Sequence, residues 1–238
     1  MRGWARPHLH FGEPAIITVH HLNNSRSQRV LWLLEELGLP YDIKFYERDR
    51  QTMLAPPELR AVHPLGKSPV ITDGPITVAE SGAIVEYLVD RYGEGRLKPA
   101  AGSADALAYR YFMHYAEGSA MPPLLMKLVF DRIESAPMPF FIKPIAKGIA
   151  GKVKTGFIKP QINNHLDFLE AELTGRPWFA GAEFTAADIQ MSFPLEAAAM
   201  RGGLAADRPR LMDFLQRIHA REAYQRALQR GGPYALMG

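Results

Sequence analysis

Two short stretches place hydroxyl and charged groups where a helical pattern is about to begin. Leu22-Asn23-Asn24-Ser25-Arg26-Ser27-Gln28 runs into the apolar positions Val30, Leu31, Leu33, Leu34 and Leu37. Glu80-Ser81-Gly82 runs into Ile84, Val85, Tyr87, Leu88 and Tyr92. The first turn of a helix carries unpaired backbone N–H groups and a positive partial charge, so either place can hold an anion. A serine hydroxyl is too weak an acid or base to take a proton outright, but it can donate a hydrogen bond to an anion. Glu80 beside Ser81 adds a carboxylate that can pair with an ammonium while the helix terminus receives a carboxylate. Between the two stretches lies His63-Pro64-Leu65-Gly66-Lys67-Ser68-Pro69, where Lys67 is a point charge for an anion and Ser68-Pro69 is an X-Pro bond. Each feature also has a plainer use. Ser25 and Gln28 have capping-box spacing, Glu80 suits the positive end of a helix, Ser68-Pro69 suits the start of an edge strand, and Lys67 suits a solvated surface.

Other chemistries find little support. The chain has no cysteine, which excludes a protein thiol as nucleophile, redox centre or metal ligand, so any thiol chemistry must belong to a bound molecule. His8, His10, His20, His21 and His114 have no partners at metal-site spacing, and there is neither a Gly-x-Ser-x-Gly elbow nor a phosphate loop; no metal is expected. A net charge of +3 and a pI near 9.1, dispersed over 238 residues, do not point to nucleic acid. No apolar run approaches the roughly 20 residues of a membrane span. Residues 1–14 carry Arg2, Arg6, His8 and His10 without the apolar segment of a secretory signal. They read as a disordered extension, with an organellar address as the alternative.

The elements that must position these groups fall into two kinds. Ile16-Ile17-Thr18-Val19-His20-His21 is a β-branched strand, the first helix ends at Gly38 and Pro40, and 41–46 alternates as a second strand. Residues 51–62 are irregular and broken by proline. Ser68-Pro69-Val70-Ile71-Thr72 and Ile76-Thr77-Val78 flank Asp73-Gly74 as a hairpin, and the helix from Ser81 closes at Gly93 and Gly95. The order is β-α-β followed by ββα. A Gly/Ala/Pro-rich stretch leads on to helical patterns at 104–130, 149–173, 186–200, 209–220 and 222–229, with no convincing strand among them.

This order, with a Ser-Pro bond opening the third strand, resembles the thioredoxin fold as cytosolic-type glutathione transferases use it. Glu117-Gly118-Ser119, Met138-Pro139-Phe140 and Asp188-Ile189-Gln190-Met191-Ser192-Phe193-Pro194-Leu195 resemble the yeast-type branch of that family, a branch also found in bacteria. The resemblance implies an α/β thioredoxin-like glutathione-binding domain over 15–95, a linker over 96–103 and an all-α domain over 104–238. It makes Ser25 the hydroxyl that donates to the glutathione thiolate. Counted back from Val30, however, Asn24 holds the place usual for that serine, so Ser25, Asn24 and a backbone N–H all remain open. Ser68, before a cis Pro69, would pair its backbone with the cysteinyl part. Glu80 and Ser81 would take the γ-glutamyl ammonium and carboxylate, Lys67 would meet the glycine carboxylate, and His63 begins the turn before it.

In the helical part, Tyr111, Tyr115 and Met121 mark a stripe that would border an apolar second substrate, or else belong to the core. Thr185-Ala186-Ala187-Asp188 has capping-box spacing. Residues 133–160 combine Pro137, Pro139 and Pro144 with Phe140, Phe141, Ile145, Ile149 and five lysines. They read as a hinge and helix pair at a dimer or domain edge, or as a basic amphipathic segment on an anionic membrane surface. The resemblance implies a cytoplasmic homodimer that activates glutathione for conjugation to electrophiles or for reduction of organic hydroperoxides. A non-catalytic binding module and a glutathione-dependent isomerase or thioether lyase are the alternatives.

Overall fold

The computed structural model describes residues 16–49, 52 and 54–235. The extension expected over 1–14 lies outside the described residues. β1 (Ile17–Leu22), α1 (Ser27–Leu37) and β2 (Tyr41–Tyr46) form a parallel β-α-β unit in which Ile17 faces Tyr41 and Leu22 faces Tyr46. α1 stops at Gly38, whose left-handed φ of 68° lets its N–H return to the Glu35 carbonyl, a conformation that carries no steric cost in glycine. β3 (Val70–Asp73) and β4 (Ile76–Ala79) make the hairpin around Asp73-Gly74, and α3 (Ser81–Tyr92) follows. The strands lie in the order β2-β1-β3-β4, with β3 antiparallel to both its neighbours.

Alternation along β1 sends its side chains to two layers. Ile17 and Val19 join the main core with Val30, Leu34, Ile84 and Leu88, while Leu22 packs with Tyr46 and Leu59 on the other face. Leu59 belongs to α2 (Glu58–Val62), a helix within the stretch expected to be irregular. Five residues are too few to show a period, which is why the pattern hides it.

The helical part comprises α4 (Ala104–Tyr115), α5 (Met121–Ser135), α6 (Lys143–Val153), α7 (Lys159–Glu172), α8 (Ala186–Ala197), α9 (Pro209–His219) and α10 (Glu222–Gly231). Single π-turns at Ala116–Ala120 and Lys154–Ile158 interrupt what read as continuous helices, and a third at Ala198–Gly202 ends the helix begun by α8. α6 begins well before the expected 149 because Pro144 sits in its first turn, where a missing N–H costs nothing. The one trace of sheet pairing described beyond β4 is a bridge between Trp178 and Gly181. All of α8 is buried. One apolar cluster runs from Val19 and Trp32 through Phe112 to Phe179, Ile189 and Phe214, so sheet and helices share a core.

α8 starts with the expected capping box. The Asp188 carboxylate accepts from the Thr185 backbone N–H at 2.8 Å and from the Phe179 N–H at 2.9 Å. Asp188→Ala orphans both buried donors and is expected to destabilise the protein by about 2–4 kcal/mol, read as a lower urea midpoint at unchanged slope. A loss below about 0.5 kcal/mol would contradict this role.

Candidate active site

The loop between β1 and α1 carries the two candidate activators, and their environments differ. Asn24 is exposed, has a left-handed φ of 49°, and its Oδ1 accepts from the Ala235 backbone N–H at 2.7 Å. Ser25 is 3% exposed. The Ser25 Oγ lies 2.7 Å from the Ser27 Oγ and 3.4 Å from the Ser68 Oγ, and it accepts from the Ser27 backbone N–H at 3.2 Å. The capping box suggested by Ser25 and Gln28 does not form. The α1 N-cap is Arg26, without a side-chain bond, and both amide atoms of Gln28 are buried without a partner. The serine hydroxyl has turned to Ser27 instead.

The chain of hydroxyls continues to His21, near the end of β1. Ser27 Oγ is 2.9 Å from His21 Nδ1. Burial pushes the His21 imidazole down to about 4, and its bond to the Gly231 carbonyl offsets only part of that. At neutral pH the ring is therefore uncharged, its single N–H serves Gly231, and Nδ1 accepts from the Ser27 hydroxyl. Ser27 Oγ can then accept from Ser25, while Ser68 Oγ donates to the His20 carbonyl at 3.0 Å. At rest the Ser25 proton points at Ser27. A thiolate arriving beside Ser25 and Ser68 can draw that proton to itself, exchanging a neutral hydrogen bond for a charge-assisted one of roughly twice the strength. His21 orients this chain; it is too weakly basic to take a thiol proton.

A stability prediction follows from the same shift. The folded-state pKa of His21 lies below its ordinary 6.5, so between pH 6.5 and about 4 the unfolded chain binds a proton that the folded chain does not. Stability from this group is intact above 6.5 and falls as the pH drops through that window. Wild type is expected to lose about 2–3 kcal/mol more than His21→Gln between pH 7 and pH 4 in paired denaturation curves. Parallel losses would contradict the assignment.

At the start of α3 no side chain caps the helix, and Glu80 sits exposed at a left-handed φ of 73°, a conformation that costs a non-glycine residue on the order of 1–2 kcal/mol. The first amides of α3 are thus open to an anion. Ser81 Oγ accepts from Arg29 Nη2 at 3.0 Å, which leaves its own proton to donate. Arg29 is 1% exposed. It also donates to the Gln190 carbonyl and to Glu117 Oε1, and Arg26 Nε meets both Glu117 oxygens at 2.9 Å. Burial pushes the Glu117 carboxyl up, but the Arg29 charge and the Arg26 bonds together outweigh it and hold it below the usual carboxylate range. The π-turn at Ala116–Ala120 carries Glu117 to this meeting point. Arg29 Nε and Gln190 Oε1 remain buried without a partner, so the polar cradle around Ser81 is not fully satisfied by the chain itself.

Of the residues expected to hold a ligand, Ser25, Ser68 and Pro69 come together, with the Ser68–Pro69 bond cis, and Ser81 with Glu80 stands at the start of α3. Lys67 is exposed, and no ion pair of it is recorded among the described residues. His63 ends α2 and accepts from the Gly66 N–H at 2.8 Å, shaping the turn before Lys67. In the helical part, Tyr111 is half exposed and stacks on Tyr115 at 5.5 Å. Tyr115 and Met121, expected beside a second substrate, are buried in the core, and the Tyr115 hydroxyl bonds His165 at 2.6 Å. Their spacing is that of the core-facing side of the helix. Glu117 reaches the β1–α1 loop, as does Phe193, which lies under the Arg26 guanidinium at 4.9 Å.

Known proteins share this fold and much of this sequence. Residues 25–91 match the family description "Glutathione S-transferase, N-terminal domain" and residues 157–222 match "Glutathione S-transferase, C-terminal domain". The chain is 39% identical to Glutathione S-transferase 3 of Schizosaccharomyces pombe over 77% of this chain and 74% of that one. It is 35% identical to Glutathione S-transferase 1 of Saccharomyces cerevisiae over 88% and 92% respectively. Among solved structures, a glutathione S-transferase from Actinobacillus pleuropneumoniae superposes with a TM-score of 0.75 at 32% identity, covering 93% of this chain and 95% of that one.

Proposed function

The chain belongs to the glutathione S-transferase family, and from that premise we propose that it binds glutathione across β1–α1, β3 and α3 and activates it as a thiolate at Ser25. The observation that carries this reading is the approach of the buried Ser25 hydroxyl to Ser68, at 3.4 Å and beside the cis Ser68–Pro69 bond. Ser68 would pair with the cysteinyl backbone, which sets the sulfur next to the Ser25 hydroxyl and the α1 N-terminus. The γ-glutamyl carboxylate would take the Ser81 hydroxyl and the first amides of α3, its ammonium would take Glu80, and Lys67 would meet the glycine carboxylate. Residues 15–95 then serve as the glutathione domain, 96–103 as linker and 104–238 as the helical domain.

The activated sulfur attacks an electrophilic carbon, whose leaving group departs with the bonding pair. With an organic hydroperoxide, two glutathiones are oxidised to the disulfide and the peroxide is reduced to alcohol and water. Both reactions begin from the same thiolate. We place the second substrate beside Ser25 against Arg26 and Phe193, with Tyr111 as the exposed aromatic of the stripe expected to border it. Clearance of reactive electrophiles by a cytoplasmic homodimer is the role this fits. The exposed Leu107 on α4 supports pairing of two copies. Among the described residues no helix is long and apolar enough to cross a membrane.

The proposal is tested by retention on immobilised glutathione together with turnover of a panel of electrophiles and hydroperoxides. Glu80→Gln is expected to raise KM for glutathione about tenfold, since one charge-assisted contact is lost, with kcat nearly unchanged. No retention and no turnover by the wild-type protein would instead make the fold a non-catalytic binding module.

A further inference from the structure

From Ser135 through Leu166 the chain contains no aspartate or glutamate and five lysines. The structure shows where they stand. α5 and α6 pack on each other, and the connection between them carries Phe140 and Phe141, 86% and 64% exposed and edge to face at 5.6 Å. Ile142, which caps α6, falls with Ile145 and Ile149 of that helix along one side at helical spacing, and all three are exposed. The helix is held to the body elsewhere: Ala150 is buried, and Lys154 pairs with Asp131 at 2.8 Å and Glu134 at 2.6 Å across to α5. The other four lysines, Lys143, Lys147, Lys152 and Lys159, are exposed, and none forms an ion pair among the described residues. An apolar edge rimmed by unpaired cations is thus left on the surface of this helix pair.

We propose that this edge is a docking surface for an anionic lipid bilayer, on which the protein lies peripherally with Phe140, Phe141 and the isoleucine side of α6 entering the headgroup boundary. Charge complementarity selects that occupant. A second copy meeting the same face across a two-fold axis would set lysines against lysines with no acid in the segment to pair them. An anionic leaflet supplies both the apolar layer and the negative charge, and a helix of about 16 Å lying flat reaches both. The contact needs no spanning segment and is compatible with a cytoplasmic protein. It would also bring the enzyme to where apolar electrophiles and acyl-chain hydroperoxides concentrate, although the surface itself does not depend on the glutathione chemistry.

Co-sedimentation of the full chain with vesicles tests this, using phosphatidylcholine alone against phosphatidylcholine with about one third phosphatidylserine at low and high salt. Wild type is expected to pellet only with the anionic vesicles and to be released by salt. Lys143→Glu with Lys147→Glu should weaken binding at least about fivefold per lysine lost, and Phe140→Ser with Phe141→Ser about tenfold or more. Both variants should conjugate a soluble electrophile at the wild-type rate, which shows that they fold. Absence of wild type from the anionic pellet, or binding unchanged by both variants, would overturn the proposal. So would a variant that halves the solution mass of the protein, which would assign the face to a second copy.

Discussion

Ser25→Ala is expected to lower kcat/KM for conjugation by about 30- to 100-fold at neutral pH, because the Ser25 hydrogen bond supplies most of an approximately two-unit depression of the thiol pKa. The helix terminus remains in the variant and keeps the loss below its ceiling. The deficit should shrink above about pH 9, where glutathione ionises unaided. Asn24→Ala serves as the contrast. Asn24 is exposed and its carbonyl oxygen is engaged by the Ala235 N–H, so its loss should leave kcat/KM within about threefold and cost about 1 kcal/mol of stability through its left-handed backbone. Steady-state kinetics across the pH range separates the two. A large, pH-dependent loss in Asn24→Ala with near-normal Ser25→Ala would reverse the assignment.

The second large effect is expected at Glu117. Arg29 is almost wholly buried and Glu117 is the carboxylate that balances it, so Glu117→Ala leaves a guanidinium stranded at the junction of α1, α3 and α8. Losing one partner of such a pair costs about 3–5 kcal/mol, whereas replacing both by apolar residues of similar volume costs far less. Chemical denaturation should therefore place Glu117→Ala well below the double variant Glu117→Met/Arg29→Met. The double variant should still bind glutathione more weakly than wild type, because Arg29 also orients the Ser81 hydroxyl at 3.0 Å. Equal stability of the single and double variants would show that the pair is not coupled.

What could be read in the chain depended on how local the cause was. The hairpin around Asp73-Gly74 and the capping box at Thr185 are set by neighbouring residues, and both are present. The Arg29 junction was invisible because its partners lie 52, 88 and 161 residues away. α1 adds a second reason. It is buried from Ser27 through Leu34, so an arginine on it reads as surface only if the helix has a solvent face, which its first two turns lack. His21 and Ser27 are close in sequence, but only the turn from β1 into α1 aims one at the other. The π-turns add one residue to an otherwise regular ladder, too small a change to alter apolar spacing. At the Asn24-Ser25 pair the sequence left both residues open; burial depends on the turn as a whole, and it leaves Asn24 exposed and Ser25 buried near Ser68.

The central claim is that the Ser25 hydroxyl holds bound glutathione as a thiolate, and titration of the ultraviolet thiolate absorbance of the enzyme–glutathione complex tests it most directly. Wild type should show the band at neutral pH with a midpoint about two units below that of free glutathione, and Ser25→Ala should show it only as the pH approaches the free-thiol value. The same midpoint in both proteins, with glutathione bound in both, would contradict the claim.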